Sequence, residues 1–61
     1  MDVTIKINCD NAAFEGNASN EVKNVIKGLM DKFETMDLCI GDMGNLYDTN
    51  GNKTGIYMVT G

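Results

Sequence analysis

Asp48, Asn50 and Asn52 place three oxygen-bearing side chains at alternate positions, and Lys53-Thr54 follows directly. No other part of the chain comes so near to a known ligand-binding pattern. An EF-hand loop reads D-x-[DN]-x-[DN]-G and closes on a bidentate glutamate at its twelfth position. Here the sixth position is Lys53 instead of glycine, and the twelfth is Val59 instead of glutamate. One carboxylate beside a lysine is a poor home for a divalent cation. A phosphate-binding loop needs its Lys-Ser/Thr ahead of a helix. In this chain Lys53-Thr54 leads into Ile56-Tyr57-Met58-Val59, a strand pattern. The stretch is therefore expected to be a tight turn, with no metal and no cofactor.

The remaining catalytic side chains are sparse. There is no histidine and no arginine, and Ser19 is the one serine. A nucleophilic cysteine needs a base or a cationic neighbourhood, and neither Cys9 nor Cys39 has one nearby in sequence. The two cysteines match no metal or redox spacing and make no secreted-type disulfide framework. They are expected to be reduced, buried thiols in a cytoplasmic protein. A chain of 61 residues also leaves little room for a water-excluding cleft. No catalytic residues and no enzymatic activity are expected.

Length and charge narrow the partners. Sixty-one residues form a single small domain, whose core is expected to be marginal without a disulfide, a metal or a partner. Nine acidic residues against five lysines give a net charge of -4. Phosphate and base-edge recognition favour arginine forks, so direct nucleic-acid binding is not expected. The charge suits a partner with a basic surface, and it also serves solubility alone. The N-terminus alternates instead of carrying a long apolar block, so neither a signal peptide nor a membrane span is expected.

The elements that position these residues follow from periodicity. Val3, Ile5, Ile7 and Cys9 alternate with Thr4, Lys6 and Asn8, which predicts a half-buried strand over about residues 2 to 9. Asp10 and Asn11 then turn the chain, with Phe14 folded under the strand. Val22, Val25, Ile26, Leu29, Met30, Phe33 and Met36 form one stripe at helical spacing, which predicts a helix over about 20 to 36, capped by Ser19 or Asn20. Glu21 falls in its first turn, where the helix dipole favours an anion. Gly28, on the polar face, reads as simple tolerance or as a close backbone approach. Gly41 could end the helix, or Leu38 to Ile40 could be a short extended piece, with Gly44-Asn45 turning the chain into a hairpin.

That hairpin spans about residues 45 to 60. Asn50-Gly51 suits a two-residue type I′ turn, which would set Asp48 opposite Lys53, Tyr47 opposite Thr54 and Leu46 opposite Gly55. Tyr47, Ile56 and Met58 then share one face; Leu46, Tyr57 and Val59 share the other. One helix covers one face of a small sheet. Either a bulge near Gly55 alters the pattern, or the second face meets a partner. The fold class expected is α+β: β-α-β-β, a three-stranded antiparallel sheet with one amphipathic helix packed on one face. The expected core is Val3, Ile5, Ile7, Phe14, Val22, Val25, Ile26, Leu29, Met30 and Phe33.

One feature works against local stability. Asp31, Glu34 and Asp37 cluster toward the helix C-terminus, where the dipole prefers cations, and Asp42 follows. Such a conflict marks a place to look for function.

Two motifs carry a resemblance. Asp10 to Phe14, DNAAF, follows the first strand; Asp48 to Gly55, D-x-N-G-N-x-x-G, precedes an aromatic strand. With the helix between them, the chain resembles a family of very small phage and prophage proteins. The resemblance spans most of the chain, but only these two motifs are specific. High asparagine and lysine use without arginine also suits an AT-rich genome. The resemblance implies an inhibitor of host defence, anti-CRISPR proteins included, acting in the host cytoplasm; it transfers no functional residues. On the residues themselves, Asp31, Glu34, Asp37 and Asp42 would occupy a basic groove in the manner of a DNA mimic. Steric blocking through Tyr47, Tyr57 and the helix is the other mechanism. A homodimeric assembly protein, with a hairpin face buried against itself, is the alternative function.

Overall fold

The computed structural model describes all 61 residues, Met1–Gly61. Strand β1 (Asp2–Ile7) leads through a short 3-10 turn at Ala12–Phe14 to helix α1 (Ala18–Phe33), then to strands β2 (Met43–Tyr47) and β3 (Lys53–Thr60). The strands form one antiparallel sheet in the order β1-β3-β2, with β3 central. This is the expected α+β architecture, with the element ends shifted by a few residues.

Each end has a local cause. β1 stops at Ile7 because the Asn8 side chain accepts the Asp10 N–H at 2.8 Å and starts a turn. The helix starts at Ala18, earlier than expected. Asn17 is its cap, accepting the Asn20 N–H at 3.1 Å, and Ser19 and Asn20 lie inside the first turn. It ends at Phe33, where Thr35 folds back and donates both its N–H and its hydroxyl to the Lys32 carbonyl. Gly41, at φ +99°, belongs to a separate turn over residues 39–42. Gly44 and Asn45 lie inside β2 and do not turn the chain.

The hairpin differs from the type I′ expectation. Among the tip residues only Gly51 has positive φ, at +82°, so Asn50 keeps an ordinary backbone. Gly51 donates its N–H to the Asp48 carbonyl, and Asp48 donates to the Asn52 carbonyl, both at 3.0 Å. The loop is thus three residues, Thr49 to Gly51, with Gly51 in the left-handed position that such loops require. Asp48 stabilises it: its Oδ1 accepts the N–H groups of Asn50 and Asn52, each at 2.9 Å. Asp48 therefore does not face Lys53, which pairs with Tyr47 instead.

A bulge follows. Leu46 pairs with Gly55 but Tyr47 pairs with Lys53, so Thr54 is the extra residue. The bulge holds down the end of β1. Thr54 donates its hydroxyl to the Asn8 carbonyl at 2.5 Å and accepts the Asn8 N–H at 2.7 Å.

One face of the sheet carries Val3, Ile5, Ile7, Leu46, Tyr57 and Val59; Ile56, Met58 and Met43 lie on the other. The core gathers Phe14, Val25, Leu29, Leu46 and Tyr57, ringed by Ile7, Ala13, Val22 and Phe33. Phe33 and Tyr57 meet edge to face, with centroids 5.4 Å apart. Two glycines permit this packing. A Cβ on Gly44 would collide with the Tyr57 ring, and one on Gly55 would collide with the Lys6 carbonyl oxygen.

Four expected core residues lie outside it. Val3 and Ile5 are 41% and 45% exposed, and Ile26 and Met30 are exposed as well. The cause is width: the helix packs closest to β2 and over Tyr57, leaving the β1 side of the same face open. Leu46, Tyr57 and Val59 take their place inside. The accessible surface is 4221 Å², against about 3900 Å² for a compact chain of this mass. The radius of gyration is 12.0 Å, against roughly 10.5 Å for this length. Both quantities describe a chain that leaves burial incomplete.

Candidate interaction surface

Helical geometry sorts the acidic residues. Glu21, Val25 and Leu29 repeat every four positions and are buried, so that line faces the sheet. Asp31 and Glu34 project from the opposite side and are exposed, as is Asp37 just past the helix end. Glu34 is the C-cap residue and Lys32 the single cation of the last turn. The carboxylates there oppose the helix dipole with little local compensation.

The other three candidates have separate fates. Asp42 is half-buried and structural: its Oδ2 accepts the Cys39 N–H at 2.8 Å, and its carbonyl accepts the Val59 N–H at 2.8 Å. Tyr47 is exposed on edge strand β2. Beside it, Gly28 and Lys32 of α1 help to form a shallow cleft of about 230 Å³. Tyr57 is 2% exposed and cannot serve as a contact residue. Its ring lies under Phe33 and Lys32, with the Lys32 ammonium 5.2 Å from the ring centroid, and its hydroxyl points at the Met36 sulfur. The structure therefore gathers Asp31, Glu34 and Asp37 around the helix end. Asp42 is committed to a turn, and Tyr57 to the core.

Both thiols are exposed instead of buried. Cys9 lies beyond the end of β1, and Cys39 opens the 39–42 turn, so neither reaches the core.

Periodicity gives no sign of a second polar cluster. Glu21, 6% exposed, accepts the Thr49 N–H at 2.8 Å; the Thr49 hydroxyl lies 2.6 and 2.8 Å from its two oxygens. Asp48, 7% exposed, lies next in the chain and spends Oδ1 on its own loop. Glu21 holds the hairpin tip against the first turn of the helix, while Asp48 shapes the tip itself. No group of three or more acidic, cysteine or histidine side chains is placed to hold a metal ion. No helix is long and apolar enough to cross a membrane.

The geometry defines a small α+β domain with an acidic helix end and a partly open sheet. No family model, curated protein or solved structure matches the chain.

Proposed function

We propose that the chain is a small non-catalytic inhibitor that binds a host protein through a basic surface. The supporting observation is the exposed set Asp31, Glu34 and Asp37 at the end of α1, where carboxylates oppose the helix dipole. A basic groove that ordinarily holds nucleic acid would accept these carboxylates in place of phosphates. Tyr47, exposed on the neighbouring strand, adds apolar contact area. On the resemblance of Asp10 to Phe14 and Asp48 to Gly55 to motifs of small phage and prophage proteins, the activity we propose is anti-defence, of the anti-CRISPR kind, in a host cytoplasm.

The test is capture from host lysate on the tagged chain, washed at low and at high salt, beside the triple variant D31N/E34Q/D37N. A nucleic-acid-binding defence complex held by the parent chain, released by salt and missed by the variant is the expected result. Equal capture by parent and variant would remove the acidic end from the interface.

A further inference from the structure

We propose that two copies of the chain pair through the free edge of β1, antiparallel about a twofold axis at Thr4, with Asp2 of each copy opposite Lys6 of the other. The sheet would then run β2-β3-β1-β1-β3-β2 across the pair.

The hydrogen-bond phase of β1 sets the geometry. The Asn8 N–H donates to Thr54 of β3, and the ladder keeps one register from Asp2↔Thr60 to Ile7↔Gly55. In an antiparallel ladder the residues that exchange bonds with one neighbour alternate with those that point away. Asp2, Thr4 and Lys6 share the phase of Asn8 and bond to β3. The N–H and C=O groups of Val3, Ile5 and Ile7 therefore point outward, along an edge that no loop hydrogen bond occupies. An open edge of this kind is a template for another strand.

The sequence of β1 selects the occupant and the register. With Thr4 opposite itself, Val3 faces Ile5 of the second copy, and both residues carry the outward groups that a hydrogen-bonded pair needs. On the same face Met1 meets Ile7, so the half-exposed apolar row continues across the joint. On the other face the even residues align, and Asp2 meets Lys6 twice, once on each side of the axis. Centring the pair on Val3 or Ile5 loses both charge pairs. The opposite edge, β2, carries no charged residue and specifies no register in this way. The exposed Val3 and Ile5 of each copy would gain cover from those of the symmetry mate, in keeping with the excess surface of the single chain. This inference does not depend on the acidic helix end, whose residues lie on the solvent side of α1.

Sedimentation equilibrium over a concentration series, followed by two sets of variants, tests the proposal. The parent chain is expected at twice its 6.6 kDa mass. K6D, which sets Asp2 against an aspartate on both sides of the axis, is expected to weaken the dimer at least about tenfold. The double swap D2K/K6D restores the pairs with their signs exchanged and is expected to recover the parent affinity. In a C9S/C39S background, T4C is expected to oxidise to a disulfide-linked dimer. Facing residues of a non-hydrogen-bonded pair lie about 4.5 Å apart at Cα, within disulfide range. K6C is expected not to link, since Lys6 and its symmetry mate are about 13 Å apart along the strands. A parent chain that stays at monomer mass, a dimer indifferent to K6D, a double swap that fails to recover, or linkage through K6C in place of T4C would each overturn the proposal.

Discussion

Glu21 and Thr49 are 28 residues apart in the chain, and the buried carboxylate of one accepts both the N–H and the hydroxyl of the other. This contact fastens the first turn of α1 to the tip of the β2–β3 hairpin. A carboxylate withdrawn from water needs strong donors, and the nearby helix N-terminus adds a favourable field. Hydrogen bonds to a charged group contribute about 1.5–3 kcal/mol each. Glu21→Ala leaves the Thr49 amide without its acceptor and is expected to cost about 2 kcal/mol. In a domain of this size that lowers the midpoint of thermal unfolding by roughly 8–16 °C, read by circular dichroism. Thr49→Val should cost less, because the amide keeps its partner. In a double-mutant cycle the two substitutions should cost clearly less together than the sum of the singles. An additive result would show that the contact contributes nothing of its own.

Gly44 and Gly55 offer a second comparison, between a neighbour that can move and one that cannot. An added Cβ at Gly44 meets the Tyr57 ring, while one at Gly55 meets the Lys6 backbone carbonyl. A ring can tilt within the core at a cost of about 1–3 kcal/mol; a backbone held in the β1–β3 ladder cannot yield without parting the strands. Gly55→Ala is therefore expected to destabilise the fold more than Gly44→Ala. Hydrogen exchange should then show β1 losing protection first in Gly55→Ala. Equal losses in the two variants would contradict this account of the sheet.

The strands, the helix and the order of elements were legible because each rests on local periodicity. The faces of the hairpin were legible too: Leu46, Tyr57 and Val59 do share a side. Alternation separates two faces without saying which one is covered. Tyr57 was accordingly expected at the surface, although its ring fills the core. Val3, Ile5, Ile26 and Met30 were expected inside for the converse reason. Their patterns are those of buried faces, but the reach of one helix across three strands is a tertiary property. The Glu21–Thr49 contact had no local signal, since an acidic residue in a first turn already has a sufficient reason to be there. The hairpin tip was legible as a turn but not by type, because its geometry depends on the Asp48 side chain as well as on Asn50-Gly51.

Gly28 tests the helix by itself. It lies inside α1, and an added Cβ would meet nothing within 4 Å. The site thus has the full helix-propensity difference available and no steric term against it. Gly28→Ala is expected to stabilise the domain by about 0.5–1 kcal/mol, raising the thermal midpoint by roughly 2–8 °C. A lower midpoint would mean that the flank beside the Tyr47 cleft must stay open for the helix to pack.

The acidic helix end should separate stability from binding. Asp31 and Glu34 are exposed, and Glu34 caps the negative end of the helix dipole. Neutralising exposed carboxylates at that end removes an unfavourable interaction that salt already screens, so D31N/E34Q/D37N should gain a few tenths of a kcal/mol. The gain should shrink in high salt. If these residues meet a basic partner, the same variant should lose salt-sensitive binding while its thermal midpoint holds or rises. The two readouts then move in opposite directions, as expected where a locally unfavourable charge set is kept for contact. A variant that both unfolds earlier and binds less would instead assign the carboxylates a structural role, and the binding surface would have to be sought on the open face of the sheet around Ile56 and Met58.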